Sequence, residues 1–373
     1  MADEFVVTPW EVKGNIDYDR LMNEFGIKPF SKKLKQFNDN MYFRRGAVFA
    51  QRDFEIIESA IKNKKPFVMM TGLMPSGKFH FGHRLVAEQI IFYQSLGAKI
   101  YLAVADIEAY NTRIPDMKQL RDIAINEYLL NYIALGLKPE NCDFYFQSER
   151  SNDAKKSNAY YKLAGMAARH VTANEVKAIY GDIAPGKLES ALLQVSDMLH
   201  PQLKEFEGPV PVVVPVGIDQ DPHLRLARDI AARMKSQFNF ILPSSTYNIF
   251  LTGLKGGKMS SSDPLSYIAL TDTPNEAKDK ILKHAFSGGK DTLAEHRKYG
   301  GNPDIDVAYQ YISTFFEPDD KKLKKIYDDY KSGKLLSGEM KQICIEKMTK
   351  FLEEHQKKRE KAKSQLNKFI LKD

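Results

Sequence analysis

A short apolar run, Pro66 to Met70, passes through the turn residues Thr71-Gly72-Leu73-Met74-Pro75-Ser76-Gly77 into Phe81 to Leu96, where the apolar spacing is helical. A strand, a glycine loop and a helix N-terminus in that order form the opening βα unit of an open α/β sheet, and they place His80-Phe81-Gly82-His83 in the first helical turn. Free amides and the helix dipole attract phosphate there, and Gly82 lets a nucleotide come close to the backbone. His80 and His83 project one way from that turn and are suited to donate hydrogen bonds to charge building up on an α-phosphate. An H-x-G-H string also arises with histidines that only cap or pack; Pro75-Ser76-Gly77 just upstream favours the phosphate reading.

Far along the chain, Gly253, Gly256 and Gly257 precede Lys258-Met259-Ser260-Ser261-Ser262. Glycines on that side predict a mobile loop, on which Lys258 is a point charge on a flexible stem, free to follow departing β- and γ-phosphates. Ser260, Ser261 and Ser262 add hydroxyls and backbone donors. Alone the stretch reads as a solvated turn. Paired with the histidine segment, it predicts that two remote stretches hold opposite ends of one ATP triphosphate.

The two segments resemble the HxGH and KMSKS signatures of the class I aminoacyl-tRNA synthetases, with Ser261 standing where the second has a lysine, as in its tryptophanyl and tyrosyl subgroup. Further stretches look like consecutive landmarks of the archaeal and eukaryotic cytosolic tryptophanyl branch: Val7-Thr8-Pro9-Trp10-Glu11-Val12, Phe43-Arg44-Arg45-Gly46, Gly217-Ile218-Asp219-Gln220-Asp221-Pro222 and His284-Ala285-Phe286-Ser287-Gly288-Gly289-Lys290-Asp291-Thr292. The last, continued by Glu295-His296-Arg297 and Gly300-Gly301-Asn302, is the most specific.

The resemblance implies a Rossmann-type doubly wound parallel sheet with a helical insertion, an N-terminal extension and an all-α C-terminal domain. It implies ATP with Mg²⁺, L-tryptophan and tRNA(Trp) as substrates, and a cytoplasmic homodimer whose interface is built largely by the insertion. His80, His83 and Lys258 become catalytic, and Gly72, Ser76, Gly82, Gly217, Asp219, Gln220, Met259, Ser260, Ser261 and Ser262 surround ATP. Glu108 pairs with the tryptophan ammonium, Gln194 assists, Gln220 faces the carboxylate or ATP, and Met70 lies in the amino-acid pocket. Lys290 and Asp291 meet anticodon bases, in keeping with charged side chains reading unstacked bases.

One departure stands out. The positions matching Met70 and Ala103 carry, in the eukaryotic enzymes, a tyrosine and a glutamine that bind the indole N–H. Neither residue here is a good acceptor, and an unpaired buried N–H costs about 1–3 kcal/mol. Tyr110, Asn111 and Asp106, which follow the same strand, are the candidates.

The rest of the chain is compatible with this reading. Residues 1–65 are mixed and irregular and hold the only tryptophan, Trp10, which the resemblance sets over the nucleotide site and which reads equally as the anchor of a surface hairpin. Residues 66–267 alternate strand and helix: Lys99 to Asp106 and Cys142 to Phe146 read as strands, and Met117 to Leu135 as a helix stopping at Gly136. Val210 to Val216 reads as a buried strand that Pro209, Pro211 and Pro215 push toward an edge or bulge. About 150–205 is an insertion rich in helix formers. Residues 268–373 read as helical, with long stretches at Asn302 to Phe316 and Leu335 to Phe369 and breaks at Gly333 and Gly338.

A net charge of +7 favours a polyanionic partner, two cysteines exclude a disulfide framework, and no run reaches membrane-spanning length. No metal-ligand cluster is read from the sequence. Three alternatives share part of the pattern: a tyrosyl-tRNA synthetase, a synthetase-like RNA-binding protein without catalysis, and a small-molecule nucleotidyltransferase, which lacks the helical C-terminal unit.

Overall fold

The computed structural model describes residues 6–7, 12–13, 17–257, 259 and 263–370. Two short strands, β1 (Val6–Val7) and β2 (Val12–Lys13), pair antiparallel; Trp10 lies outside the described residues. The main sheet has seven strands: β3 (Lys28–Pro29), β4 (Val48–Arg52), β5 (Val68–Leu73), β6 (Lys99–Val104), β7 (Cys142–Phe146), β8 (Val212–Gly217) and β9 (Ser244–Asn248), in the order β3-β4-β9-β8-β5-β6-β7. From β9 to β7 all neighbours run parallel, while β3 and β4 add an antiparallel edge. The region expected to be irregular thus supplies two strands of the sheet. It is anchored by Phe30, Phe37, Phe43 and Phe54, which pack on one another and on Phe92 and Tyr93 of the Phe81–Ser95 helix.

The chain lays β6 and β7 on one side of β5 and β8 and β9 on the other, so the winding order reverses between β5 and β8. Such reversals open crevices at the carboxyl ends of parallel strands. Here β5 and β8 pair only through Val68–Val212 and Met69–Val213, whereas β5 and β6 stay paired as far as Leu73–Val104. Beyond Met69 the crevice opens.

Three local expectations are corrected. β5 continues through Thr71, Gly72 and Leu73, read above as turn, because these residues pair with Leu102, Ala103 and Val104 of β6. β8 is central, not an edge: Pro215 lies past Val213, the last residue paired with β5, where the ladder has already parted. Gly338 breaks nothing, because it is the second residue of the Ser337–Ala362 helix. Gly333, with φ 76°, does interrupt the chain as expected.

Helices Ala154–Ala167, Ala173–Tyr180 and Pro185–Leu199 occupy the stretch read as a helical insertion, and the last of them walls one side of the crevice. After β9 the described chain is mainly helical, ending in the long Ser337–Ala362 helix and a short terminal helix, Asn367–Ile370. That long helix returns to the sheet layer. His355 Nε2 donates to Asn131 Oδ1 at 2.7 Å, and the Arg84 guanidinium lies 3.9 Å from the Phe351 ring centroid. Arg44 and Arg45 of the N-terminal region both bind Asp320, at 2.7 and 2.6 Å. Among the described residues no helix is long and apolar enough to cross a membrane.

Candidate active site

His80 is the N-cap of the Phe81–Ser95 helix, and the cap is built from imidazoles. Gly82 N–H donates to His80 Nδ1 at 3.1 Å, and His80 N–H donates to His83 Nδ1 at 3.2 Å. Phe81 N–H donates to Ile268 C=O at 3.3 Å and His83 N–H to His80 C=O at 2.9 Å. The first turn therefore does not offer the free amides expected from the sequence. What it presents is the two rings, stacked with centroids 3.9 Å apart and tilted 26°. Burial pushes the His80 imidazole down to about 4, and burial together with His80 holds His83 well below the usual histidine range. Both rings are neutral near pH 7. With each Nδ1 accepting from the backbone, Nε2 is the nitrogen that carries hydrogen.

Backbone pairing downstream of the second signature brings Ile268–Leu270 against Phe79–Phe81, at the start of the histidine helix. Leu270 N–H donates to Phe79 C=O at 2.8 Å, and His80 and Ala269 form an isolated antiparallel bridge, which ties the residues just before the helix to the segment that follows the loop. The loop is closed at its base by Leu254 N–H on Ser266 C=O at 2.8 Å. Met259 packs on the histidine turn: a methyl group placed on Gly82 would lie 3.5 Å from Met259 Sδ. Lys258, Ser260, Ser261 and Ser262 lie outside the described residues.

A cavity of about 550 Å³ fills the crevice where β5 and β8 part. Its lining includes Met70, Gly72, Glu108, Gln194, Gly217 and Gln220, so residues read from four distant stretches meet at one wall or another of a single space. Val86, one turn after His83 on the same helix, also lines it. Glu108 stands in the first turn of the Asp106–Thr112 helix and not on the strand itself, half-buried, its carboxyl raised by burial and by Asp197. Gly72 faces open space, the nearest atom to an added Cβ being Ala103 O at 4.0 Å. Ser76 lies in the loop before His80, and Asp219 in the turn Ile218–Gln220 directly after β8; neither lines the cavity. Lys290 and Asp291 are exposed, just ahead of the Leu293–Tyr299 helix, and do not line it either.

None of the three candidates for an indole partner lines the cavity. Asp106 is committed to Ser148, whose Oγ and N–H both donate to it; Asn111 donates to Gly186 C=O at 3.3 Å; Tyr110 is 46 % exposed. Tyr110 and Asn111 point elsewhere because Asp106–Thr112 turns helical immediately after β6. The polar groups at the deep end were missed from sequence: Gln147, which follows β7, and Asp197, one turn beyond Gln194 on the Pro185–Leu199 helix. Asp197 accepts from Gln147 Nε2 at 2.7 Å, Tyr145 Oη at 2.7 Å and Tyr160 Oη at 2.8 Å. Burial raises its carboxyl, and those three donors oppose the shift. Arg113 and Lys187 are further charged lining residues that no motif announced; the Gln194-x-x-Asp197 spacing, which sets two polar side chains one turn apart on one helical face, was the one legible signal.

The chain matches the family described as tRNA synthetases class I (W and Y) over residues 62–353. It is 44% identical over 368 residues to a tryptophan--tRNA ligase of Hyperthermus butylicus, covering 97% of each chain, and 46% identical to that of Methanocaldococcus jannaschii, covering 96% of each. Among solved structures, it superposes on tryptophanyl-tRNA synthetase from Aeropyrum pernix with a TM-score of 0.89 at 44% identity, covering 95% of this chain and 96% of that one. The enzyme from Encephalitozoon cuniculi, solved bound to tryptophan, gives 0.82 at 27% identity, with 95% and 98% covered. A helix capped by two histidines, a crevice at the sheet's switch point and this full-length likeness converge: the chain belongs to the class I tRNA synthetases of the W and Y type, alongside the tryptophan--tRNA ligases.

Proposed function

We propose that the chain activates L-tryptophan with ATP, releasing pyrophosphate, and transfers the tryptophanyl group from the adenylate to tRNA(Trp). The observation that carries this reading is the crevice between β5 and β8, which gathers Glu108, Gln194 and Gln220 beside the helix that begins with the histidine cap. The tryptophan carboxylate attacks the α-phosphorus in line. It is already an anion, so the step needs no general base and rests on positioning and charge stabilisation. His80 and His83, neutral and protonated on Nε2, donate to the oxygens of the α-phosphate. Lys258 accompanies the leaving pyrophosphate. Mg²⁺ enters with ATP as part of the substrate and neutralises phosphate charge. Gly72, Ser76, Gly82, Gly217, Asp219, Met259 and Ser260 to Ser262 surround the nucleotide.

At the amino-acid end, Glu108 binds the ammonium, Gln194 assists it and Gln220 faces the carboxylate, with Met70 against the indole. Lys290 and Asp291, both exposed, take part in anticodon binding, and the helical insertion forms the interface of a homodimer. The two cysteines, Cys142 and Cys344, are free and buried, which accords with a cytoplasmic location. Exchange of labelled pyrophosphate into ATP tests the reading. Tryptophan should support exchange and tyrosine should not; exchange with tyrosine alone would make the chain the sibling enzyme, and none with either amino acid would make it a binding protein.

A further inference from the structure

The cavity is polar at two levels. Glu108, Gln194 and Gln220 are half-buried, whereas Gln147 and Asp197 are 0 % and 1 % exposed. An amino acid that must present its carboxylate to ATP keeps its charged end at the more open level and sends its side chain to the deeper one. At that depth one atom is left over. Gln147 Oε1 is buried and has no hydrogen-bond partner among the described residues. A buried acceptor without a donor is costly, and such atoms call for a ligand or water.

The orientation of that amide is fixed by its neighbours. Asp197 takes the Gln147 Nε2–H at 2.7 Å, and its other oxygen already receives both tyrosine hydroxyls. Flipping the amide would set Oε1 against a carboxylate, so Asp197 holds Gln147 with its acceptor turned away from the acid. Gln147 N–H donates to Val104 C=O at 3.0 Å, which pins the backbone to β6. We propose that Gln147 Oε1 accepts the indole N–H of tryptophan, replacing the acceptors that Met70 and Ala103 lack, with Asp197 as the positioning residue that orients it. Among the described residues, Gln194 Oε1 is a second buried acceptor without a partner on the cavity wall, and its shallower level places it with the ammonium.

This inference rests on the tryptophan reading, and the experiment separates the two. Pyrophosphate exchange is measured with tryptophan and with β-(3-benzothienyl)alanine, which has sulfur in place of the indole N–H. The wild-type chain should prefer tryptophan by at least about tenfold in kcat/KM, as expected when a site built around a donor meets an analogue without it. Gln147→Met, similar in length but without the acceptor, should lower kcat/KM for tryptophan and leave the analogue nearly unchanged, so that the preference collapses. Gln194→Met should weaken both substrates alike.

A preserved preference in Gln147→Met, or its collapse in Gln194→Met, would overturn the assignment while leaving tryptophan activation intact. Should Gln147→Met fail to fold, Asp197→Asn provides the second arm: it frees the Gln147 amide to flip and should also erode the preference, and an undiminished preference there contradicts the proposal. A wild-type chain that does not distinguish the two substrates would contradict it without any variant. No exchange with tryptophan would instead refute the functional reading itself.

Discussion

Replacing Gly82 with alanine separates catalysis from stability. The added methyl would lie 2.8 Å from His80 Cε1 and 2.9 Å from His80 Nδ1, where carbon contacts settle near 3.5–4.0 Å, so the ring must retreat by roughly 0.7 Å or more. It cannot do so freely, being stacked on His83 at 3.9 Å and packed against Tyr267 at 4.9 Å. Moving it also disturbs the Gly82 N–H to Nδ1 bond, which sets the tautomer. Loss of a cap costs about 1 kcal/mol, and alanine in place of glycine in a helix returns a similar amount, so net stability should change little. A misplaced transition-state donor, by contrast, costs about a hundredfold in rate. Tryptophan-dependent pyrophosphate exchange should therefore fall by about two orders of magnitude in Gly82→Ala at nearly constant Tm. Exchange within about threefold of wild type, with the methyl in place, would refute the claim that the imidazole's position matters.

Glu108→Gln removes the charge proposed to meet the ammonium and should raise the tryptophan KM in the exchange assay by about tenfold or more, with ATP affinity unchanged; a normal KM excludes it from that end of the pocket. Lys290→Ala should weaken tRNA charging while sparing pyrophosphate exchange, and equal loss in both assays would assign the residue to the fold. Burial holds His80 and His223 down to about 4 and His355 to about 3, the last aided by Arg84, Arg359 and Lys358. These groups are neutral in the folded chain but protonate in the unfolded one below about pH 6.5, so their contribution is complete above that pH and is lost as it falls toward 4. In urea titrations between pH 6.5 and 4, His355→Gln, which keeps a donor for Asn131 Oδ1, should flatten the dependence of unfolding free energy on pH by up to about 1.4 kcal/mol per unit. An unchanged slope would show that His355 does not titrate on unfolding.

Signals confined to one stretch of chain were legible. The strand Cys142–Phe146 and the start of the helix at Phe81 match their sequence patterns, because β-rich composition and helical spacing act locally there. What pairing decides was not. Thr71 to Leu73 carry turn residues, yet β6 recruits them into β5, and Pro215 sits in a central strand because β5 has already turned away. The histidines were visible as a motif, but their cap, which uses the amides expected to bind phosphate, depends on side-chain geometry that spacing does not encode. That Phe79–Phe81 and Ile268–Leu270 zip together, and that Met259 packs on the histidine turn, was not readable, because no local pattern encodes pairing over such a separation. Gln147 and Asp197, 50 residues apart, become one unit only when β7 lies beside the Pro185–Leu199 helix. An isolated glutamine after a strand gives no warning of that.

A crystal structure of the chain with a non-hydrolysable tryptophanyl-adenylate analogue tests the central claim most directly. The account predicts the indole at the deep end of the β5–β8 crevice, and the phosphate analogue within hydrogen-bond distance of Nε2 on His80 or His83, with Lys258 on the side from which pyrophosphate departs. An analogue bound with its phosphate remote from both imidazoles would contradict it.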